Sequence, residues 1–336
     1  MLKVTSDTTS IRSVAVIGSG LAGLTAAILL GHSGHHVRVF EKSRGPGGRM
    51  ASKRVGEGSA DIGAQYFTAR NPEFHAFLEQ WAGAAAFQEW QARFRFQDQT
   101  LHWQPFPEEK RYVGVPRMTA ITRALSAHAD VAAQVRIERL QRTGNQWQLL
   151  CSDGQNHGVF DQVIITAPPA QARDLLLESE LGALASELAN PVEQILPCWA
   201  VAAHYTQPPV ADADAMRPHS DVLYWVANNS SKPGRDDSGQ WWVLHATPEW
   251  TIAHVDAEPE QVSAALVKEF AALTGSAVKP GEAVAHRWLY ARSAGGDQSG
   301  YLYDEENGIG LAGDWLAGGR VEGAWESATR LVAAMQ

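Results

Sequence analysis

The sequence predicts an α/β protein of two domains, one of them a Rossmann-like dinucleotide-binding unit. Three observations carry this. The chain has 336 residues, and at roughly 100–200 residues per domain that length suits two. Hydrophobic residues make up 45% and charged residues 19%, a balance that fills a core and excludes global disorder. Near the N-terminus a strand, a glycine loop, a helix, a second strand and an acid follow one another at dinucleotide-binding spacing.

Ser13–Ile17 (S-V-A-V-I) is a short apolar, β-branched run, as a buried parallel strand requires. Gly18-Ser19-Gly20-Leu21-Ala22-Gly23 follows. Gly18 permits the tight turn, Gly20 lets the backbone approach a pyrophosphate, and Gly23 lets the next helix pack closely. That helix reads as Leu24–Leu30, closed by Gly31 and Gly34. The residues that open it, Leu21 and Ala22, offer free N–H groups and a positive dipole end to phosphates. His36–Phe40 is the second strand, and Glu41 at its end is placed to accept hydrogen bonds from ribose hydroxyls.

The residues after Glu41 choose between NAD and FAD. Lys42-Ser43-Arg44-Gly45-Pro46-Gly47-Gly48-Arg49 forms a second glycine turn flanked by cations. A nicotinamide-only domain usually proceeds to another helix here. A second loop with Lys42, Arg44, Gly48 and Arg49 suits the longer flavin cofactor. Asp61-Ile62-Gly63-Ala64-Gln65-Tyr66-Phe67 then gives another strand-end glycine, followed by polar Gln65 and aromatic Tyr66.

Composition narrows the partners. Net charge is −9, from 28 basic and 37 acidic residues, which argues against nucleic acid or anionic membrane as a partner. The two cysteines, Cys151 and Cys198, have no C-x-x-C spacing, so neither a disulfide framework nor a cysteine metal site is expected. No H-x-x-x-H or H-x-H cluster with carboxylates reads as a metal site, and no G-x-S-x-G elbow occurs. The N-terminal residues lack a signal-peptide pattern and no apolar run spans a bilayer, so the expectation is a cytoplasmic protein with no obligate protein partner.

Quoted together, V-A-V-I-G-S-G-L-A-G-L, V-F-E-K, G-P-G-G-R-M-A-S and D-I-G-A-Q-Y-F resemble the flavin-containing amine oxidase superfamily. So does Gly308-Ile309-Gly310-Leu311-Ala312-Gly313-Asp314-Trp315, followed by Gly319-Arg320-Val321-Glu322-Gly323-Ala324 and a last helix, Trp325–Met335. D-I-G-A-Q-Y-F-T-A-R and G-D-W-L-A-G-G-R-V-E-G-A-W-E-S are similar, more narrowly, to the bacterial renalase family. The resemblance implies a Rossmann-like FAD domain of the p-hydroxybenzoate hydroxylase type and a second α+β domain on a mixed sheet. It implies that Gly313 and Asp314 meet the ribityl–pyrophosphate region. It also implies that Arg320, Val321 and Ala324, at the start of the last helix, face the flavin's N1–C2=O edge. Val135 takes the place where the family clasps the adenine.

With cofactor pieces dispersed along the chain, the domains are expected to be discontinuous. Residues 11–70, 115–189 and 300–336 form the FAD domain, and 71–114 and 190–299 the substrate domain. The first insert reads as a helix, Pro72–Gln88, then alternating aromatics. The second reads as strands Cys198–Tyr205, Asp221–Asn228, Trp241–Thr247 and Ala283–Tyr290, with a helix at Pro259–Thr274.

The chain has 12 Trp. Those at 81, 90, 103, 199, 225, 241, 242, 250 and 288 fall in the substrate domain, which predicts an aromatic, non-basic pocket for a planar ring. Tyr66, Trp103, Tyr224, Trp225, Trp242, Trp288 and Tyr290 are candidates for its wall, and His245, in W-V-L-H-A, can reach it from a strand.

The resemblance implies an FAD-dependent oxidase of 2- and 6-dihydro isomers of NAD(P)H. Hydride passes to flavin N5, and O2 reoxidises the flavin to give H2O2. Hydride loss from a dihydropyridine gives an aromatic ring directly, so no strong general base is required; positioning does most of the work. The substrate's pyrophosphate calls for arginines, with Arg70, Arg287 and Arg292 as candidates. An amine or polyamine oxidase is the alternative, and non-redox or structural use of FAD a third reading; a desaturase or hydroxylase lacks the membrane face or nicotinamide site it needs. No lysine is expected on a strand facing the flavin. Ala294–Gly310 contains no cysteine, so the FAD is expected to be non-covalent.

Overall fold

The structure, a computed structural model, describes residues 10–236, 238–295 and 299–336. Ser13–Ile17 lies in the middle of a six-stranded sheet. It pairs in parallel with Gln162–Ile165 on one side and His36–Glu41 on the other. Asp130–Ala133 extends the parallel ladder beyond His36–Glu41. Ile309–Leu311 extends it on the other side, and Leu302–Asp304 closes that edge antiparallel.

Both faces of this sheet are covered, which is why its strands read as continuous apolar runs. Val14, Val16, Val39 and Ile164 pack under the Leu21–His32 helix and the Val321–Met335 helix. Ala15, Phe40, Val163 and Ile165 face the opposite layer, with Leu175, Leu176 and Leu188. The first helix is longer than the apolar pattern predicts. It starts at Leu21, because extended Gly20 is already its N-cap, and ends at His32. The last helix likewise starts at Val321 rather than Trp325.

A second, seven-stranded sheet is mixed. Its order is Glu282–Ser293, Ile195–Tyr205, Gln240–Ala246, Leu223–Asn228, Ala215–Arg217, Phe94–Gln97 and Trp103–Pro105. All neighbours are antiparallel except Ala215–Arg217 with Phe94–Gln97. The Pro259–Thr274 helix covers its back through Val262, Leu266 and Phe270. That helix stops at Gly275, whose φ of +65° is the left-handed cap a glycine supplies. The first-insert helix runs only from Pro72 to Trp81, short of Gln88, since the chain turns at Gly83 with φ +84°.

Candidate active site

A cavity of about 1860 Å³ lies between the two sheets. Single-ligand pockets occupy roughly 300–1,000 Å³, so this one has room for a dinucleotide cofactor and a second molecule. Ile17 and Phe40, at the carboxyl ends of their parallel strands, line it, which is where ligands of open α/β sheets sit.

The glycine loops form its floor. A Cβ added at Gly20 would meet no protein atom, so the space beside it is open. One added at Gly48 would lie 3.4 Å from the Gly20 Cα, so the two loops meet. Gly23 does not line the cavity; a side chain there would run into the Gly18 carbonyl, so its task is close packing, as its spacing predicts. Leu21, Ala22, Lys42 and Arg44 line the floor, and the Lys42 Nζ donates to Gln171 Oε1 at 2.8 Å. Glu41 is buried and already oriented. Its carboxylate accepts from the Ser19 N–H at 2.9 Å, the Ser19 hydroxyl at 2.8 Å and the Ser43 N–H at 2.8 Å. Ser19 is a partner that the motif's variable position hides. Val135 lines the cavity, but its N–H donates to the Glu41 carbonyl at 2.9 Å, leaving only its own carbonyl to a ligand.

The C-terminal motif closes the floor. Arg49 and Asp314 form a forked pair, with Nη1 to Oδ2 at 3.0 Å. Gly313, Arg320, Val321 and Ala324 line the cavity beside it. Arg320 caps the last helix in an extended conformation with no side-chain cap bond, and the helix's first turn, with Val321 and Ala324, borders the cavity with its positive dipole end.

The wall opposite comes from the second sheet. Trp225 and His245 are direct partners across neighbouring strands, and both line the cavity. The register slips between Leu223 and Trp225, and this bulge puts consecutive Tyr224 and Trp225 both on the lining. Tyr66 meets Trp225 with ring centroids 5.5 Å apart. The Ile62 carbonyl accepts from the His245 ring at 3.0 Å and the Trp288 indole at 3.0 Å. A carbonyl only accepts, so Nε2 carries the His245 proton and Nδ1 is the acceptor. Burial lowers the His245 pKa to about 4, so the ring is neutral. Cys198 also lines the cavity, its thiol pushed up to about 12 by burial.

Several expectations are corrected. Trp242 is not on the wall: it is fully buried on the far face of its strand, tilted against Phe270 with centroids 5.2 Å apart. Alternation explains this, since residues 241, 243 and 245 share one face and Trp242 points the other way. Trp103 packs against the same rear core. Of the nine tryptophans expected in the second domain only Trp225 and Trp288 line the cavity, and the pocket is not free of basic residues: Arg70, Arg217, Arg287, Arg292 and Arg320 border it. Arg70 is tied to Glu109 at 2.7 Å. Lys53 sits on the Ser52–Val55 strand and lines the cavity, donating to the Ala285 carbonyl at 3.1 Å, although its sequence context does not reveal it.

Behind the wall lies a charged cluster. Asp61 is fully buried, with Oδ2 3.2 Å from the Lys232 Nζ and against the Arg235 guanidinium. Oδ1 accepts from the Ser52 hydroxyl at 2.7 Å and the Met118 N–H at 3.0 Å. These partners hold the carboxyl down at about 2 against its burial. Lys232 also reaches Gln65 Oε1 at 3.3 Å, and the Gln65 amide donates to the Asp61 carbonyl, so the cluster fixes the segment that carries Gln65 and Tyr66 to the cavity.

Residues 100–336 match the model of the flavin containing amine oxidoreductase family. The chain belongs to that family. Residues 16–81 match the NAD(P)-binding Rossmann-like domain, and FAD is the family's cofactor; the open glycine cradle and the free helix termini suit it. Among curated relatives, a zeta-carotene-forming phytoene desaturase of Myxococcus xanthus is 45% identical over 58 residues, 17% of this chain and 11% of that protein. An L-amino-acid oxidase of Daboia russelii is 38% identical over 82 residues, 24% of this chain and 15% of that one. These matches span only a small part of either relative. Among solved structures, a putative protoporphyrinogen oxidase from Exiguobacterium sp. 255-15 superposes with a TM-score of 0.76 at 12% identity, covering 97% of this chain and 98% of that one. Cyclohexylamine oxidase from Brevibacterium oxydans IH-35A superposes with a TM-score of 0.71 at 11% identity, covering 97% and 99%. These two likenesses concern the fold. Among the described residues no helix is long and apolar enough to cross a membrane.

Proposed function

We propose that this family member is an FAD-dependent oxidase of 2- and 6-dihydro isomers of NAD(P)H. The observation that carries the reading is the charge of the substrate wall. Among the described lining residues from the second domain the one carboxylate is Glu109, and it is committed to Arg70. An alkylammonium substrate wants a free carboxylate or an open aromatic cage; a dihydronicotinamide nucleotide is anionic and planar. Tyr66 and Trp225 touch each other, so no ammonium group fits between them.

When bound, FAD supplies the hydride acceptor and the route of electrons to O2, giving H2O2. The chain's own residues bind and orient. The cofactor, held without a covalent bond, would lie with its pyrophosphate at Gly18, Gly20 and Leu21, its ribose at Glu41 and its ribityl chain near Asp314, with Gln65 and Tyr66 alongside. Trp225, Trp288 and neutral His245 offer flat apolar faces and one acceptor, Nδ1, for a carboxamide N–H. No group on this wall has to remove a proton, because hydride loss completes the nicotinamide's aromaticity. Domain limits at 71–114 and 190–299 accord with strands of the second sheet lying in those segments.

The test is anaerobic flavin bleaching by the purified yellow protein. Rapid bleaching by 2- or 6-dihydro-NAD is expected, and acid should release the flavin free. Bleaching by amines but not by these isomers overturns the reading.

A further inference from the structure

We propose that Arg217 and Arg292 form an anion subsite at the outer end of the cavity, which takes the phosphate groups of a nucleotide substrate. This rests on the dihydronicotinamide reading above and names residues for the part of the substrate that does not react. The sequence offers Arg70, Arg287 and Arg292 for that task; the structure separates them.

Arg70 donates its Nε to Glu109 at 2.7 Å. Arg287 donates to the Val255 carbonyl and lies 3.3 Å from Asp256. Both guanidiniums already hold acceptors. Arg292 and Arg217 line the cavity and, among the described residues, neither has a carboxylate within ion-pair distance. Each instead rests over aromatic rings. The Arg292 Cζ is 3.9 Å from the Tyr224 ring centroid. The Arg217 Cζ is 5.2 Å from Phe106 and 5.7 Å from Phe96. A guanidinium held over a ring has its position fixed while its N–H edge remains free for a bidentate oxyanion.

Their placement suits one ligand. Arg217 rests over Phe106, whose ring centroid is 5.8 Å from that of Trp225, and Trp225 pairs with His245. Arg292 acts electrostatically on both Cys198 and His245. The two cations therefore flank the Trp225–His245 pair, where a planar ring has its aromatic face and its acceptor. The bulge that turns Tyr224 inward supplies the ring under Arg292. A ring with a phosphate-bearing tail meets both features at once, whereas an ammonium ion is repelled by two uncompensated cations.

The experiment uses FAD-loaded protein, in which the cofactor already fills its own adenosine and pyrophosphate sites. The probe is ADP-ribose, which carries the pyrophosphate without the nicotinamide ring, followed through the flavin absorbance. R217Q and R292Q are each expected to weaken ADP-ribose binding about tenfold, the effect of one charge-assisted contact. In the double variant the ratio of kcat/KM for 6-dihydro-NAD to that for 6-dihydronicotinamide riboside should fall at least about tenfold. An unchanged flavin spectrum shows that the variants are folded. No ADP-ribose binding by the wild type, or equal binding by the variants, overturns the subsite. If ADP-ribose binds and the variants lose it, yet no dihydronicotinamide isomer bleaches the flavin, the subsite stands and the assignment of the reaction falls.

Discussion

Asp61→Asn removes the carboxylate from a cluster in which two buried cations converge on it. The Lys232 and Asp61 side chains are 0% exposed and the Arg235 side chain 2%. With a neutral amide in place of the carboxylate, Lys232 and Arg235 are left facing each other out of water, and stripping one partner from a buried ion pair costs about 3–5 kcal/mol. Lys232→Met is the informative contrast. It leaves the Asp61–Arg235 pair intact, fills similar volume beside Trp90, and loses the bond to Gln65 Oε1, a cost of about 1–2 kcal/mol. The assay is urea unfolding of FAD-loaded protein. With a slope of about 3 kcal/mol per molar urea, D61N should lower the midpoint by about 1 M and K232M by about 0.5 M or less. Acid titrates the same carboxylate. The folded carboxyl, at about 2, lies below its ordinary 3.8. Its contribution is therefore present above pH 3.8 and is lost as pH falls through 2, so the gap between D61N and wild type should narrow by about 2 kcal/mol by pH 2. A K232M variant as damaged as D61N, or a neutral D61N, would refute the charge accounting.

Other outcomes follow from the same geometry. Gly23→Ala drives a methyl into the Gly18 carbonyl and should destabilise even the flavin-free protein by about 1–3 kcal/mol, read in thermal unfolding. Gly20→Ala meets no protein atom, so the flavin-free protein should melt as wild type while the FAD dissociation constant rises; equal melting losses in the two variants would contradict this. Trp242→Ala should cost about 3–5 kcal/mol in unfolding, whereas Trp225→Ala should act chiefly on substrate KM. His245, held at about 4 against an ordinary 6.5, is neutral when folded but protonates when unfolded as pH drops. Stability should therefore decline between pH 6.5 and 4, by about 2 kcal/mol at pH 5, and His245→Asn should abolish that part of the decline in denaturation measured at pH 7 and pH 5.

The amino-acid sequence by itself determined whatever depends on short spacing. Three glycines within six residues, bounded by an apolar strand and an acid, define the phosphate loop, because turn, helix start and ribose partner are set by consecutive backbone. The Pro259–Thr274 helix is bounded by its own proline and glycine. The mixed second sheet is legible from alternating apolar runs. Only the tertiary structure decided which side of each strand meets the ligand. Trp241 and Trp242 are adjacent and chemically identical, yet neither lines the cavity, while a bulge turns both Tyr224 and Trp225 into it. Only the fold distinguishes committed arginines from free ones, since the partners of Arg70 and Arg287 lie 39 and 31 residues away. Lys232 reads as part of a polar connector and becomes buried because Asp61, 171 residues earlier, supplies its counter-charge. Local pattern fixes period and turn; the sign and pairing of a buried charge depend on what distant segments bring against it.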